Sequence, residues 1–221
     1  MTLSGTVHKT FILTAIVAVV GAFAWNHCKS NPGSMGLFMM GGAIGGLVIS
    51  LVTIWKKHLS AITAPLYAVA EGLFLGTLSM MMENMYHGIV LQAVMLTLGT
   101  LFGLLAAYQM NLIRATENFR LGIFAATAGI GIVYLVTMVL GFFGVRIPYI
   151  HGSGLVGIGF SLFVVVIAAL NLVMDFDFIE TGVQRGAPKY MEWFSGFGLL
   201  VTLVWLYVEI LNLLSKLARR D

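Results

Sequence analysis

The residues of this chain best suited to chemistry are carboxylates set in apolar surroundings. Glu209 interrupts WLYVEILNLL at 205–214, where a charge at the centre of a bilayer costs roughly 2.5 to 3.5 kcal/mol on insertion scales, so something must compensate it. Glu71 stands in PLYAVAEGLFLG, with Ala68, Gly72, Gly76 and Ser79 beside it at helical spacing. A third cluster, NLVMDFDFIETG, brings Asp175, Asp177 and Glu180 within six residues. Such oxygens hold protons and favour hard cations such as Ca²⁺. No Ser/His/Asp or Cys/His grouping, histidine metal motif or phosphate loop accompanies them, so neither an enzyme nor a cofactor is expected. His8, His27, His58, His87 and His151 fall at span ends or in loops without ligand spacing. GSGLVG, at 152–157, matches a dinucleotide fingerprint but lacks the strand that must precede one.

The elements that must position these acids follow from composition. The 221 residues are 59% hydrophobic and 10% charged, with a mean hydropathy of +0.98, whereas a soluble domain averages about 25% charged. Apolar runs of about 20 residues place spans near 8–25, 35–55, 61–82, 88–110, 120–144, 152–174 and 193–217. Lipid offers backbone groups no hydrogen bonds, so only helices or closed barrels cross it, and continuous runs without period-two alternation exclude the barrel. The expected fold is an all-α membrane protein of seven transmembrane helices forming one domain over 1–221, its neighbouring helices antiparallel across short connections. GGAIGG sets Gly41 against Gly45 and Gly42 against Gly46 at the small-xxx-small spacing of close helix contacts.

Basic residues suggest the orientation. Lys9, Lys56, Lys57, Arg114, Arg120, Arg185 and Lys189 lie on the N-terminal side and only Lys29 and Arg146 opposite, which favours a cytoplasmic N-terminus; the tail, with Lys216, Arg219 and Arg220, runs against the pattern. Lys9, the apolar run from Phe11 and Ala22-Phe23-Ala24 also have the look of a signal peptide, although the rest of the chain is itself a membrane bundle that needs no secretion. The single cysteine, Cys28, cannot form an internal disulfide. A net charge of +3 without a basic, aromatic-laced patch gives nucleic-acid binding no support. The evident partner is the lipid bilayer.

Laid on a helix, the last span puts Ser195, Gly198, Thr202, Trp205, Glu209, Asn212 and Lys216 on one stripe at alternating steps of three and four. That seam should turn toward other helices or a water-filled cavity. Glu209 either lines an ion or proton path or bonds Asn212 or Lys216 and glues helices together. Asp175, Asp177 and Glu180, read as closing span six, oppose its macrodipole and want cations; Lys56 and Lys57, or Arg185 and Lys189, could supply them. Glu71 is either a structural hydrogen bonder or a member of the same path.

On MDFDFIE, LVWLYVEILNLLSKL and the seven spans, the chain resembles the Bax inhibitor family, in particular its bacterial YccA branch. The resemblance implies two layers of three helices around a central C-terminal helix, a pH-sensing pair of acids from spans six and seven, and a link to Ca²⁺ leak across membranes. By motif position Asp175 and Glu209 are that pair. Asp175 reads as interfacial and Glu209 as roughly 18 Å deeper along its helix, so the two meet only if Gly196 and Gly198 break the last helix and leave 186–197 as an interfacial piece after Pro188.

Two carboxylates in one poorly hydrated site cannot both ionise cheaply. A shared proton ties the helices together; its loss separates them or draws in a cation, with Ca²⁺ held transiently at Asp175 and Glu209. The expected function is therefore a pH-sensitive cation leak, for Ca²⁺ above all, in a bacterial inner membrane. The competing reading is a non-conducting regulator that binds a membrane protease or another membrane protein.

Overall fold

A computed structural model describes residues 1–143, 152 and 154–219. Arg146, His151 and Arg220, with Ser153 of GSGLVG, lie outside the described residues. Among the described residues seven long helices follow one another: α1 (Leu3–Ser30), α2 (Met35–Trp55), α3 (Ser60–Met85), α4 (Ile89–Gln109), α5 (Glu117–Phe142), α6 (Leu155–Gln184) and α7 (Met191–Ala218). Short 3₁₀ turns at Pro32–Ser34 and Lys57–Leu59 lead into α2 and α3. All seven helices are long and apolar enough to cross a membrane. Their outward faces agree with that, since Trp55 is 81% exposed and Phe11 75%, a surface that water would not tolerate over so many contiguous positions.

Local chemistry starts the helices where the runs begin. The Thr2 side chain accepts the Gly5 N–H and caps α1. Thr116 accepts the Phe119 N–H at the head of α5, where Glu117 also suits the positive end of the helix. Glu83 accepts the N–H groups of Gly88 and Val90 at 2.6 and 3.2 Å, satisfying donors at the start of α4.

The described chain divides into two compact units, Met1–Val90 with Asp177–Val204, and Leu91–Phe176 with Trp205–Asp221. In the first, α1 and α2 both pack on α3. Of the two glycine pairs in GGAIGG, Gly42 and Gly46 are the ones used. A Cβ at Gly42 would stand 2.7 Å from the Ala70 carbonyl and one at Gly46 2.8 Å from Glu71 Oε1, whereas Gly41 meets nothing. The core of this unit gathers Leu13, Ala64, Tyr67, Ala68, Phe197 and Leu200, with the Tyr67 and Phe197 rings edge to face at 4.9 Å. In the second unit Ile123 and Ile130 of α5 meet Val164 and Ile167 of α6, and Tyr134, Phe160 and Trp205 pack around them.

Two boundaries differ from those expected. Span six does not end at 174: α6 runs on to Gln184, so Asp175 and Asp177 are half-buried in the body of a helix rather than at its C-terminus. The macrodipole conflict expected there is correspondingly weak, because that field fades within the last turn. Nor is the last helix broken at Gly196 and Gly198, for α7 is continuous from Met191. Gly196 instead permits close contact with α1, where a Cβ would stand 3.1 Å from Thr10 Oγ1. Residues 191–197 are therefore helix, and the backbone turns before them, at Gly186, with a φ of +62° that suits glycine.

Candidate functional site

The seam read from α7 points inward. Ser195, Thr202, Glu209 and Lys216 are all buried, Glu209 being 4% exposed, as expected for a helix whose polar groups occupy one stripe between aliphatic ones. Glu209 is held by two neutral donors: the Tyr134 hydroxyl of α5 at 2.7 Å and the Trp205 indole N–H, one turn earlier on α7, at 3.3 Å. Both donate to Oε1. The second oxygen, Oε2, is buried and has no hydrogen-bond partner among the described residues.

That arrangement stands on a cavity of about 450 Å³ lined by Tyr134, Thr137, Phe160, Glu209, Asn212 and Lys216. At roughly 30 Å³ per liquid water, the space admits several waters or a partly hydrated ion. Lys216, which also lines it, donates from its ammonium to the Gly157 carbonyl of α6 at 3.2 Å and to Ser161 Oγ at 2.8 Å. A carboxylate with one oxygen braced and the other left over can take a proton or a cation without breaking the bonds that position it.

Asp175 lies in the same unit as Glu209, with its Oδ2 buried. One residue further, Phe176 stacks obliquely on Tyr108, centroids 5.8 Å apart. Asp177 and Glu71 belong to the other unit. Glu71 is buried, bonded by the hydroxyl of Tyr67 one turn earlier on α3, and pressed against bare Gly46. Of the basic residues expected to hold the acids of span six, Lys57 sets its ammonium over the Phe194 ring at 5.1 Å. Thr202 donates to the Gly198 carbonyl within its own helix.

Two functional contacts escaped the sequence reading. Tyr134 carries the shortest bond to Glu209, and its signal was a hydroxyl in the middle of an apolar span, which needs an acceptor in lipid. The other is Glu192, 3% exposed, which accepts Lys9 Nζ at 2.5 Å, the Thr2 N–H at 3.0 Å and Thr2 Oγ1 at 3.1 Å. A carboxylate beginning an aromatic-rich span was a hint, but partners 183 and 190 residues away left no local pattern.

A family model described as Bax inhibitor 1 like matches residues 1–219. No curated protein and no solved structure matches the chain. With nearly its whole length covered by that model, the chain belongs to the Bax inhibitor 1 like family.

Proposed function

We propose that this multi-pass membrane protein is a pH-sensitive cation leak, with Ca²⁺ as its foremost cargo, in which Glu209 and Asp175 are the protonatable groups that decide whether ions enter. The supporting observation is Glu209 itself: buried, fixed by Tyr134 and Trp205 through one oxygen, and offering the other beside a cavity of about 450 Å³. With a proton on the acid, the cavity presents a neutral wall. Without it, the carboxylate is stabilised by two aimed donors and attracts a hard cation. The neighbours with charge or titratable groups at the cavity are Tyr134 and Lys216. Glu71, Asp177, Lys56 and Lys57 are secondary candidates for the path and its latch. The reading includes a bacterial inner membrane as the site of action, a cytoplasmic N-terminus and no catalytic step.

The test is Ca²⁺ flux through the purified protein in liposomes between pH 5 and 8. Flux is expected to grow as the acids lose protons with rising pH, and to be lost when Asp175 and Glu209 are both replaced by amides. Flux that ignores pH and survives the double replacement would refute the gate. A protein that carries no ions yet co-purifies with a membrane protease or another membrane protein, in a manner sensitive to these acids, would favour the regulator.

A further inference from the structure

Two segments of the first unit carry exposed cations that no acid claims. Lys56 and Lys57 follow Trp55 at the close of α2, where the Leu59 N–H donates to the Lys56 carbonyl at 2.8 Å and fixes a tight 3₁₀ turn. Arg185 and Lys189 belong to the turn between α6 and α7. Ser60 Oγ donates to the Tyr190 carbonyl at 2.8 Å, across 130 residues, and Lys57 sets its ammonium over the Phe194 ring at 5.1 Å, so the segment bearing Lys189 lies against the one bearing Lys57. All four cations are exposed, and among the described residues none of them pairs with a carboxylate. Glu192, the acid nearest Lys189 in sequence, is taken by Lys9, and Glu180 accepts the Gln184 amide at 3.2 Å.

The apolar surface beside these cations identifies what covers them. Trp55 is 81% exposed, and Ile62 and Leu66, on the first two turns of α3, are exposed as well. An indole at the edge of an outward apolar face marks the boundary between hydrocarbon and headgroups, and Lys56 and Lys57 come directly after that indole. We infer that this end of the unit binds the headgroup of an anionic phospholipid, its phosphate meeting Lys57 and Lys189 with Lys56 and Arg185 flanking, and its acyl chains lying along the outward faces of α2 and α3. The Phe194 ring steadies the Lys57 ammonium without cancelling its charge, and a side chain already held in place loses less freedom on binding. A zwitterionic lipid offers the same phosphate but brings a cation of its own, which the lysines repel, so the surface sorts lipids by charge. The assignment does not depend on the Glu209 cavity or on ion flux.

The experiment uses the full chain in a neutral detergent. Dioleoylphosphatidylglycerol, dioleoylphosphatidylcholine and glycerol phosphate are titrated separately, and apparent affinity is read from the rise in melting temperature. Wild type is compared with Lys57→Gln/Lys189→Gln, with Lys57→Arg/Lys189→Arg, and with Lys29→Gln/Arg114→Gln, which removes the same charge from exposed positions elsewhere. Phosphatidylglycerol is expected to stabilise wild type well beyond the other two probes. A cation near a membrane surface is worth about fivefold in affinity, so the glutamine pair should weaken phosphatidylglycerol binding by about tenfold or more, while the arginine pair and the distant pair stay within about threefold of wild type. Salt at about 1 M, which shortens the screening length to about 3 Å, should erase the preference. Should the glutamine pair not fold, Lys56→Gln/Lys189→Gln takes its place with the same threshold. An equal response to phosphatidylcholine, or an equal loss in the distant pair, would overturn the assignment. So would glycerol phosphate matching the lipid, which would mark a site for free phosphate, or capture of polyglutamate in place of the lipid, which would mark a surface for an acidic protein.

Discussion

Glu209→Gln is expected to lower Ca²⁺ flux through the reconstituted protein by about tenfold or more while leaving its melting temperature nearly unchanged. The amide keeps the shape of the carboxylate, and its oxygen can still accept from Tyr134 and Trp205, so the bonds at 2.7 and 3.3 Å survive. What disappears is the charge facing the cavity. A unit charge pair 4 Å apart is worth about 4 kcal/mol at an effective dielectric constant near 20. Partial dehydration of the ion offsets much of that, but a remainder of only about 1.4 kcal/mol is tenfold. Because the swap removes no packing atom, stability should change by less than about 1 kcal/mol. Flux kept at wild-type level, or flux lost together with the fold, would each deny Glu209 the part assigned to it.

The largest loss of stability is expected from Glu192→Ala. Glu192 accepts three hydrogen bonds, from Lys9, the Thr2 N–H and the Thr2 hydroxyl, and it clamps the start of α1 to the start of α7 within one compact unit. Truncating one partner of a buried pair leaves the other charge uncompensated, which costs about 3 to 5 kcal/mol. Lys9 retains 18% side-chain exposure, so water recovers part of its charge and about 3 kcal/mol is the better figure. At roughly 2 to 4 °C per kcal/mol for a chain of this size, the midpoint of thermal unfolding in detergent should fall by about 6 to 12 °C. Glu192→Gln, which can still accept from Thr2, should fall less. An alanine variant that melts within about 1 °C of wild type would show that the clamp contributes nothing.

The scaffold was readable because lipid imposes a rule that sequence cannot disguise: each span needs an unbroken apolar run, and seven such runs stand where the seven helices do. The inward face of α7 was equally readable, since Glu209 and its companions recur at steps of three and four among aliphatic residues. Where the reading went astray, it took polarity or glycine as a boundary. Asp175 and Asp177 suggest a helix end, yet α6 continues to Gln184 and carries both half-buried. Gly196 was read as a breaker, yet it is an ordinary helical residue whose missing side chain lets Thr10 approach. Partnerships were the least readable. Tyr134 meets Glu209 across 75 residues and Lys9 meets Glu192 across 183, and no periodicity within one helix encodes which neighbour it will face.

Whether Glu209 looks onto water or onto lipid is open to a direct chemical test, helped by the presence of a single cysteine, Cys28. Cys28 is buried against the Thr77 hydroxyl, so Cys28→Ser gives a background without reactive thiols, in which Glu209→Cys introduces one. Only a hydrated, ionised thiol reacts readily with a charged, membrane-impermeant methanethiosulfonate. If the account is right, the anionic sulfonatoethyl reagent modifies position 209 and restores Ca²⁺ flux, while the cationic trimethylammonium reagent modifies it and leaves flux low. A thiol that ignores both charged reagents but is consumed by a lipid-soluble maleimide would mean that residue 209 faces the hydrocarbon, and the account would be contradicted at its centre.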